Sequence, residues 1–339
     1  MCKRILASQT NAECGVPFYK IGTIGGAPDA YISKELFESY RAKYNYPRKG
    51  EVMITCAGTV GKAMIFDGED SYYQDSNIVW IDNPINKIDN TFLYHLISKV
   101  DWSKLNTTTI VRIYNDDLRQ LRISYPTLSE QRKISSFLNL LNQRIETQKK
   151  IIEDLKRLKY AISKRVFAEM GQHHPVVKLG ELCSIKTGKL DANAMIDNGE
   201  FPFFTCARED YRTDTYAFEG DSLLISGNGD IGIVKRYNGK FNAYQRTYVL
   251  QDFIQEIAYV QCFVEHHLPK RVLKEKNVGA MPYIVLSTLS EMPIILPPTY
   301  IQNAICKTIG AISEQINVEE KILANFELQK QYNLSMMFI

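Results

Sequence analysis

Gly227–Asn228–Gly229–Asp230–Ile231–Gly232 has the glycine spacing of a dinucleotide-binding loop. In such a loop the backbone closes around a pyrophosphate held at the N-terminus of the following helix. Ser222–Ser226 supplies the strand that must come before, and Asp252 lies at about the distance expected of a ribose-binding acid. The residues that follow argue otherwise. Ile233–Tyr237 is rich in β-formers and runs into Asn238–Gly239, a strong local signal for a tight hairpin. The glycines are therefore expected to serve a turn between strands, not a cofactor. Other chemistry-bearing sets also fail on spacing. Glu153, Asp154 and Lys156 could be stretched into a nuclease-like acid and lysine set, but they flank a helical heptad seam as solvated charges would. His173–His174 and His266–His267 lack ligand-spaced partners, and the seven cysteines form no C-x-x-C pair, so no structural zinc site is expected. No G-x-x-x-x-G-K-[ST] phosphate loop is present. Leu296–Pro297–Pro298–Thr299 lacks the polar first and aromatic last residue of an N/D-P-P-F/Y motif. No residue is nominated as catalytic or metal-binding.

The elements that would position side chains are more legible. At 339 residues, 45% hydrophobic and 23% charged, the chain is long enough for two ordinary domains with real cores. Scattered, unpaired cysteines predict a reducing, cytoplasmic setting, and no apolar stretch approaches membrane-spanning length. A net charge of +3 permits a nucleic-acid partner without demonstrating one.

The chain also repeats itself at a shift of 171 residues. Gly58 and Gly61 map to Gly229 and Gly232, Asp67–Gly68 to Asn238–Gly239, and Tyr73–Gln74 to Tyr244–Gln245. Leu118, Pro126 and Gln131 map to Leu289, Pro297 and Gln302. The first copy reads Ala57–Gly58–Thr59–Val60–Gly61, so Gly227 is not part of the shared pattern. Each copy begins with a mixed region of short β-rich runs and one helical patch, which predicts two similar α+β heads. The runs are 52–55, 62–66 and 78–81, then 222–226, 231–237 and 247–250; the patches are 91–99 and 256–266.

Each head is followed by a long segment, of which the first, from Leu128 to about Glu169, contains no Gly or Pro. It opens at Leu128–Ser129, with Ser129 as the expected cap. Apolar residues at Ile134, Leu138, Leu141, Ile145, Ile152, Leu155 and Ile162 alternate by four and three, the seam of a coiled coil. The second copy answers with Ile305, Ile309, Ile312, Ile316, Leu323 and Phe326. Polar interruptions correspond too, Gln148 with Glu319 and Lys159 with Lys330. Matching seams predict that the helices pair antiparallel and separate two heads in a pseudo-twofold arrangement, with a helix on the order of 60 Å long. The expected divisions are 1–125, 126–170, 171–296 and 297–339. Such an object suits duplex DNA, whose half-sites recur by helical turns. The heads are not identical, Arg112 answering to Tyr283 and Asn115 to Leu286, so the half-sites should differ and the target should be asymmetric and split.

The run Pro126–Ile134 (P-T-L-S-E-Q-R-K-I), the opening Val176–Leu182 (V-V-K-L-G-E-L) and the turn Gly58–Lys62 running on to Tyr72–Asn77 resemble the specificity subunit of type I restriction–modification systems. The resemblance covers nearly the whole chain. It implies that the heads are target recognition domains and that the helices set the half-site spacing and dock two methyltransferase subunits. ATP-driven restriction subunits would join through the complex. It also implies that S-adenosylmethionine, ATP and Mg belong to those partners, this chain binding no cofactor. One departure stands out: 16 residues precede Pro17, against 26 from Val176 to Pro202, so V-V-K-L-G-E-L has no counterpart before the first head. A late chain start or a head that manages without that strand is expected.

Side chains able to read bases or hold phosphates, placed near the turns, complete the picture. In the first head they are Lys20, Thr59, Lys62, Gln74, Ser76, Asn77, Thr107, Thr108 and Arg112. In the second they are Lys186, Lys189, Arg208, Asn228, Lys235, Arg236, Gln245 and Arg246.

Overall fold

The computed structural model describes residues 1–74, 77–85, 87–105, 112–209, 211–276 and 282–338, except the side chains of Ser103 and Leu105. The chain divides into two compact units, Met1–Lys149 with Ile322–Ile339, and Lys150–Lys321. The boundaries fall inside the long helices, so each unit holds one head together with part of both.

In the first unit β1 (Val16–Tyr19), β2 (Tyr31–Ile32), α1 (Lys34–Lys43), β3 (Val52–Thr55), β4 (Ala63–Ile65), β5 (Tyr72–Tyr73) and β6 (Ile78–Ile81) lead to α2 (Asn90–Lys99), α3 (Asn115–Gln120) and the start of α4 (Leu128–Met170). They form two three-stranded sheets, β2-β1-β5 and β4-β3-β6. All four residues of β3 are buried, as befits a strand paired on both edges. One core joins Phe18, Ile32, Phe37 and Tyr72; a second joins β3 and β6 to Phe92 and Leu96 of α2 and to Leu138 of α4. The second unit contains β7 (Val176–Lys178), β8 (Ser184–Thr187), β9 (Phe201–Phe204), β10 (Tyr211–Thr213), β11 (Phe218–Ser226), β12 (Val234–Ala243), β13 (Thr247–Gln251), α5 (Ile257–Glu275), α6 (Leu286–Ser290), β14 (Pro293–Ile295) and the start of α7 (Thr299–Met337). Its main sheet has six strands in the order β10-β9-β12-β11-β13-β8, and β7 pairs with β14.

The repeat is real but its register slips. β3 and β4 answer to β11 and β12 at the full shift, Ile54 opposing Ala63 as Ile225 opposes Val234. In the next strand Ile78 opposes Thr55, whereas Thr247 opposes Ser226, two residues short of that shift. The expected match of Tyr73–Gln74 with Tyr244–Gln245 is displaced by one residue: Gln74 N donates to Tyr19 O, and the equivalent bond runs from Tyr244 N to Phe204 O.

Neither Asx-Gly pair makes the expected hairpin. Asn238–Gly239 lies inside β12, with Gly239 opposite Gly220, both at positive φ. The strand continues because its far end, Phe241 and Ala243, is buried and Ala243 pairs with β9. Asp67–Gly68 joins strands of different sheets, with Glu69 N donating to Asp67 Oδ1. The hairpin turns are the glycine segments themselves, between β3 and β4 and between β11 and β12. A strand, β12, follows Gly232 where a dinucleotide fold requires a helix.

The long helices follow the seam closely. Leu138, Leu141, Ile145 and Ile152 are buried on α4, and Ile305, Ile309 and Ile316 on α7. Ile134, Leu155, Ile162, Ile312, Leu323 and Phe326 are half-buried, and Gln148 is buried. Partner positions descend α7 as they ascend α4. In the first unit Leu138 shares a core with Leu334, and the Arg144 guanidinium lies 5.9 Å from the Phe326 ring. In the second, Lys156 pairs with Glu320 at 2.7 Å while Phe167 packs among Ile305 and Ile309. The helix segments are therefore antiparallel within each unit. The cap is Thr127, not the expected Ser129: Thr127 N donates to Glu130 Oε2 at 3.0 Å and Glu130 N to Thr127 Oγ1 at 3.4 Å, a reciprocal capping box. Gln131 and Gln302 are buried and donate to Pro126 O and Pro297 O at 2.8 and 2.9 Å, fixing how each helix leaves its head.

Candidate nucleic-acid interface

Each glycine turn is a junction where several chain segments meet, and the two junctions share one hydrogen-bond plan. In the first head Gly61 N donates to Thr55 O and Val60 N to Gly58 O, both at 2.9 Å. In the second, Gly232 N donates to Ser226 O at 2.8 Å and Ile231 N to Gly229 O at 2.9 Å. The left-handed φ values match as well: +66° and +83° at Gly58 and Gly61, +58° and +81° at Gly229 and Gly232. Glycine is the residue that adopts this conformation without a Cβ clash. At Gly61 a Cβ would also lie 2.1 Å from Cδ1 of Trp102.

Two further segments are bound to the residue that precedes each turn. Cys56 N donates to Asn77 O at 2.7 Å and Ile113 N donates to Cys56 O at 2.9 Å. Equivalently, Gly227 N donates to Arg246 O and Ile284 N to Gly227 O, both at 2.9 Å. A lysine ties in a third segment on each side, Lys62 Nζ donating to Ile24 O, and Lys235 Nζ to Arg208 O at 2.7 Å. The backbone frame is thus common to both heads while the side chains on it differ.

The second junction gathers Lys189, Arg208, Asn228, Lys235, Gln245 and Arg246. Gln245 N donates to Leu190 O at 2.9 Å, which brings Lys189 beside the loop. Arg208 Nε lies 3.6 Å from Asp230 Oδ2, its side chain mostly exposed. Asn228 is buried and forms an isolated β-bridge with Tyr283. Arg246 is exposed, its guanidinium 5.6 Å from the centre of the Tyr283 ring. Two expected residues lie elsewhere. Lys186 is on the edge strand β8. Arg236 follows Lys235, so strand alternation turns it to the opposite face. There it makes two hydrogen bonds to Asp221, at 2.9 and 2.6 Å, which hold the Asp221 carboxyl below the usual carboxylate range.

The first junction gathers Thr59, Lys62, Gln74, Asn77 and Arg112. Thr59 is exposed and its carbonyl accepts from Thr55 Oγ1. Gln74 Oε1 accepts from Ile21 N at 3.3 Å, so this side chain braces the neighbouring loop. Lys20 lies on that loop, paired with Asp29 at 3.1 Å. Arg112 is half-buried, 5.8 Å from the Tyr114 ring, and its charge opposes the burial that pushes the Cys56 thiol up to about 11. Ser76, Thr107 and Thr108 lie outside the described residues. Sequence reasoning missed Tyr114 and Tyr283. An aromatic two residues after Arg112, and the tyrosine that replaces Arg112 in the second copy, were the available signals.

No group of three or more His, Cys, Asp or Glu side chains among the described residues could hold a metal ion, and no helix described is long and apolar enough to cross a membrane.

The profile of the type I restriction modification DNA specificity domain matches residues 1–157 and again 174–328. The chain belongs to that family. A putative type I restriction enzyme specificity subunit of Haemophilus influenzae is 53% identical over 139 residues, 41% of this chain and 36% of its own length. The EcoDI specificity subunit of Escherichia coli is 35% identical over 140 residues, again 41% of this chain and 31% of its own. The chain thus spans about a third of either relative. In fold it is similar to the crystal structure of a type I restriction–modification S subunit from M. genitalium, at a TM-score of 0.65 and 18% identity, covering 100% of this chain and 92% of that one.

Proposed function

We propose that this chain reads a split, asymmetric site on double-stranded DNA for a type I restriction–modification complex, each head reading one half-site with the side chains at its glycine junction. The observation that carries this reading is the pair of junctions: one backbone plan used twice, furnished with different polar side chains. A shared frame that presents different donors is what reading two different sequences in one orientation demands. In this reading α4 and α7 set the unread spacing. Catalysis belongs to partner subunits, with S-adenosylmethionine for adenine methylation and ATP and Mg for cleavage.

The helices also offer a docking face for methyltransferase. In the first unit Phe137 and Leu140 are exposed, each one residue before a buried position of α4, and Tyr332 and Met336 are exposed on α7. Exposed apolar side chains on facing turns of an antiparallel pair are the raw material of an interaction site. The corresponding residues of the second unit are Thr308, Ala311, Ala161 and Arg165. Two methyltransferases would therefore dock unequally, the first unit holding its partner more tightly.

Co-expression with the methyltransferase subunit, followed by single-molecule mapping of methylated adenines, tests both parts. A split, asymmetric motif modified on both strands is expected. Leu140→Asp should reduce co-purified methyltransferase and leave the motif unchanged. A palindromic or half-length motif would mean that one head alone reads DNA. Co-purification of methyltransferase with no methylated motif would replace the reading with that of a scaffold.

A further inference from the structure

From the two arginine–tyrosine stacks at the glycine junctions we infer that Arg246 and Arg112 each read a guanine, one in each half-site. This rests on the DNA-reading function proposed above and adds which base, and which residue, fixes a position of the target.

The second head shows the geometry best. Arg246 makes no ion pair among the described residues, and its guanidinium lies 5.6 Å from the centre of the partly exposed Tyr283 ring. The backbones of both residues are pinned to the same turn. Gly227 N donates to Arg246 O and Ile284 N donates to Gly227 O, each at 2.9 Å, and Tyr248 Oη donates to Ile284 O at 3.1 Å. A guanidinium held against an aromatic face has lost much of its rotamer freedom before it meets DNA, and its edge still carries a planar fork of donors. That fork matches O6 and N7 of guanine in the major groove, an acceptor pair that no other base presents there.

The first head pairs its arginine with a tyrosine two residues further along the same segment. Arg112 occupies the repeat position of Tyr283 and lies 5.8 Å from the Tyr114 ring, while Ile113 N donates to Cys56 O at 2.9 Å just as Ile284 N does to Gly227 O. Exchanging which segment supplies the arginine moves the fork relative to the common frame. The two guanines therefore sit at different positions within their half-sites.

The test is adenine-methylation mapping of the intact complex carrying wild-type chain, Arg246→Ala or Arg112→Ala. Each substitution should relax one position of one half-site from guanine to any base, with preference falling on the order of 10- to 100-fold, and leave the other half-site intact. Tyr283→Phe, which keeps the aromatic face, should preserve the guanine; Tyr283→Ala should weaken preference at that same position. An unchanged motif, relaxation at a base other than guanine, or complete loss of methylation in Arg246→Ala would overturn the assignment while the wild-type motif kept the DNA-reading function standing. Absence of any motif with wild-type chain would overturn both.

Discussion

The two heads share a frame and differ in how completely it is closed. In the second, β7 pairs with β14, Leu179 N donates to Met292 O at 2.8 Å, and Leu296 N to Pro175 O at 2.9 Å. Met292 and Ile294 are buried beneath that pairing. In the first head the corresponding residues are Leu121 and Ile123, both only half-buried, and Arg122–Tyr125 have no backbone hydrogen-bond partner among the described residues. Yet each head is locked in the same way. Phe338 packs on Phe92 with ring centroids 4.9 Å apart, and Phe167 on Phe263 at 5.0 Å. Each aromatic at the end of a long helix belongs to one repeat and the aromatic it meets belongs to the other. Both heads thus carry the same aromatic lock, while a strand pairing like that of β7 with β14 is seen among the described residues of the second alone.

Cutting the two locks separately should have the largest effect. Phe167→Ala and Phe338→Ala should each cost about 3–5 kcal/mol, the usual result of truncating a buried aromatic. The losses should fall on opposite units: faster amide exchange in α5 for Phe167→Ala, and in α2 for Phe338→Ala. Exchange that quickens in the same unit for both variants would refute the reciprocal lock. A smaller effect should come from completing the first head. A peptide of sequence 174–183 added in trans should slow exchange across Arg122–Ser124 and stabilise the first unit increasingly as its concentration is raised, by about 2.7 kcal/mol at a hundredfold excess over its Kd. The second unit, whose β14 is already paired, should not respond. Protection appearing there instead would mean that the open edge is not a strand site.

Much of the fold was readable because periodicity and repetition report burial directly. The helix seam from Ile134 to Ile162, and its echo from Ile305, recurs as the inward face of both helices. What escaped depended on contacts between segments distant in sequence. Asn238–Gly239 signals a turn locally, but pairing of β12 with both β11 and β9 overrides it. Phe167 and Phe338 lie beyond the last seam residues, Ile162 and Phe326, and their role follows from meeting Phe263 and Phe92, which spacing alone does not show. At the junctions side-chain direction could not be read from residue type. Lys235 and Arg236 look alike in sequence, yet one joins the loops and the other is bound to Asp221 on the opposite face.

The mildest test of the comparison is pH. In the second unit His266 and His267 pack against Phe167, with Lys159, Glu265, Tyr160 and Lys270 around them. Burial, with His267 and Lys270 adding to it, pushes the His266 imidazole down to about 4, and burial lowers His267 as well. The first unit has a single counterpart, His95, also lowered by burial but partly raised by its hydrogen bond to Asn139 Oδ1 at 3.2 Å. A histidine whose folded pKa is depressed contributes stability that is fully present above its unfolded value of about 6.5. As pH falls from there toward 4 the unfolded chain takes up a proton that the folded one refuses, so stability is lost. With two such groups against one, amide exchange in α5 should accelerate more than in α2 between pH 7 and 5, and melting should fall by a few degrees. His266→Gln should flatten that slope in the second unit alone. Equal acceleration in both helices, or a slope unaffected by His266→Gln, would show that something other than these buried imidazoles sets the acid sensitivity of the second head.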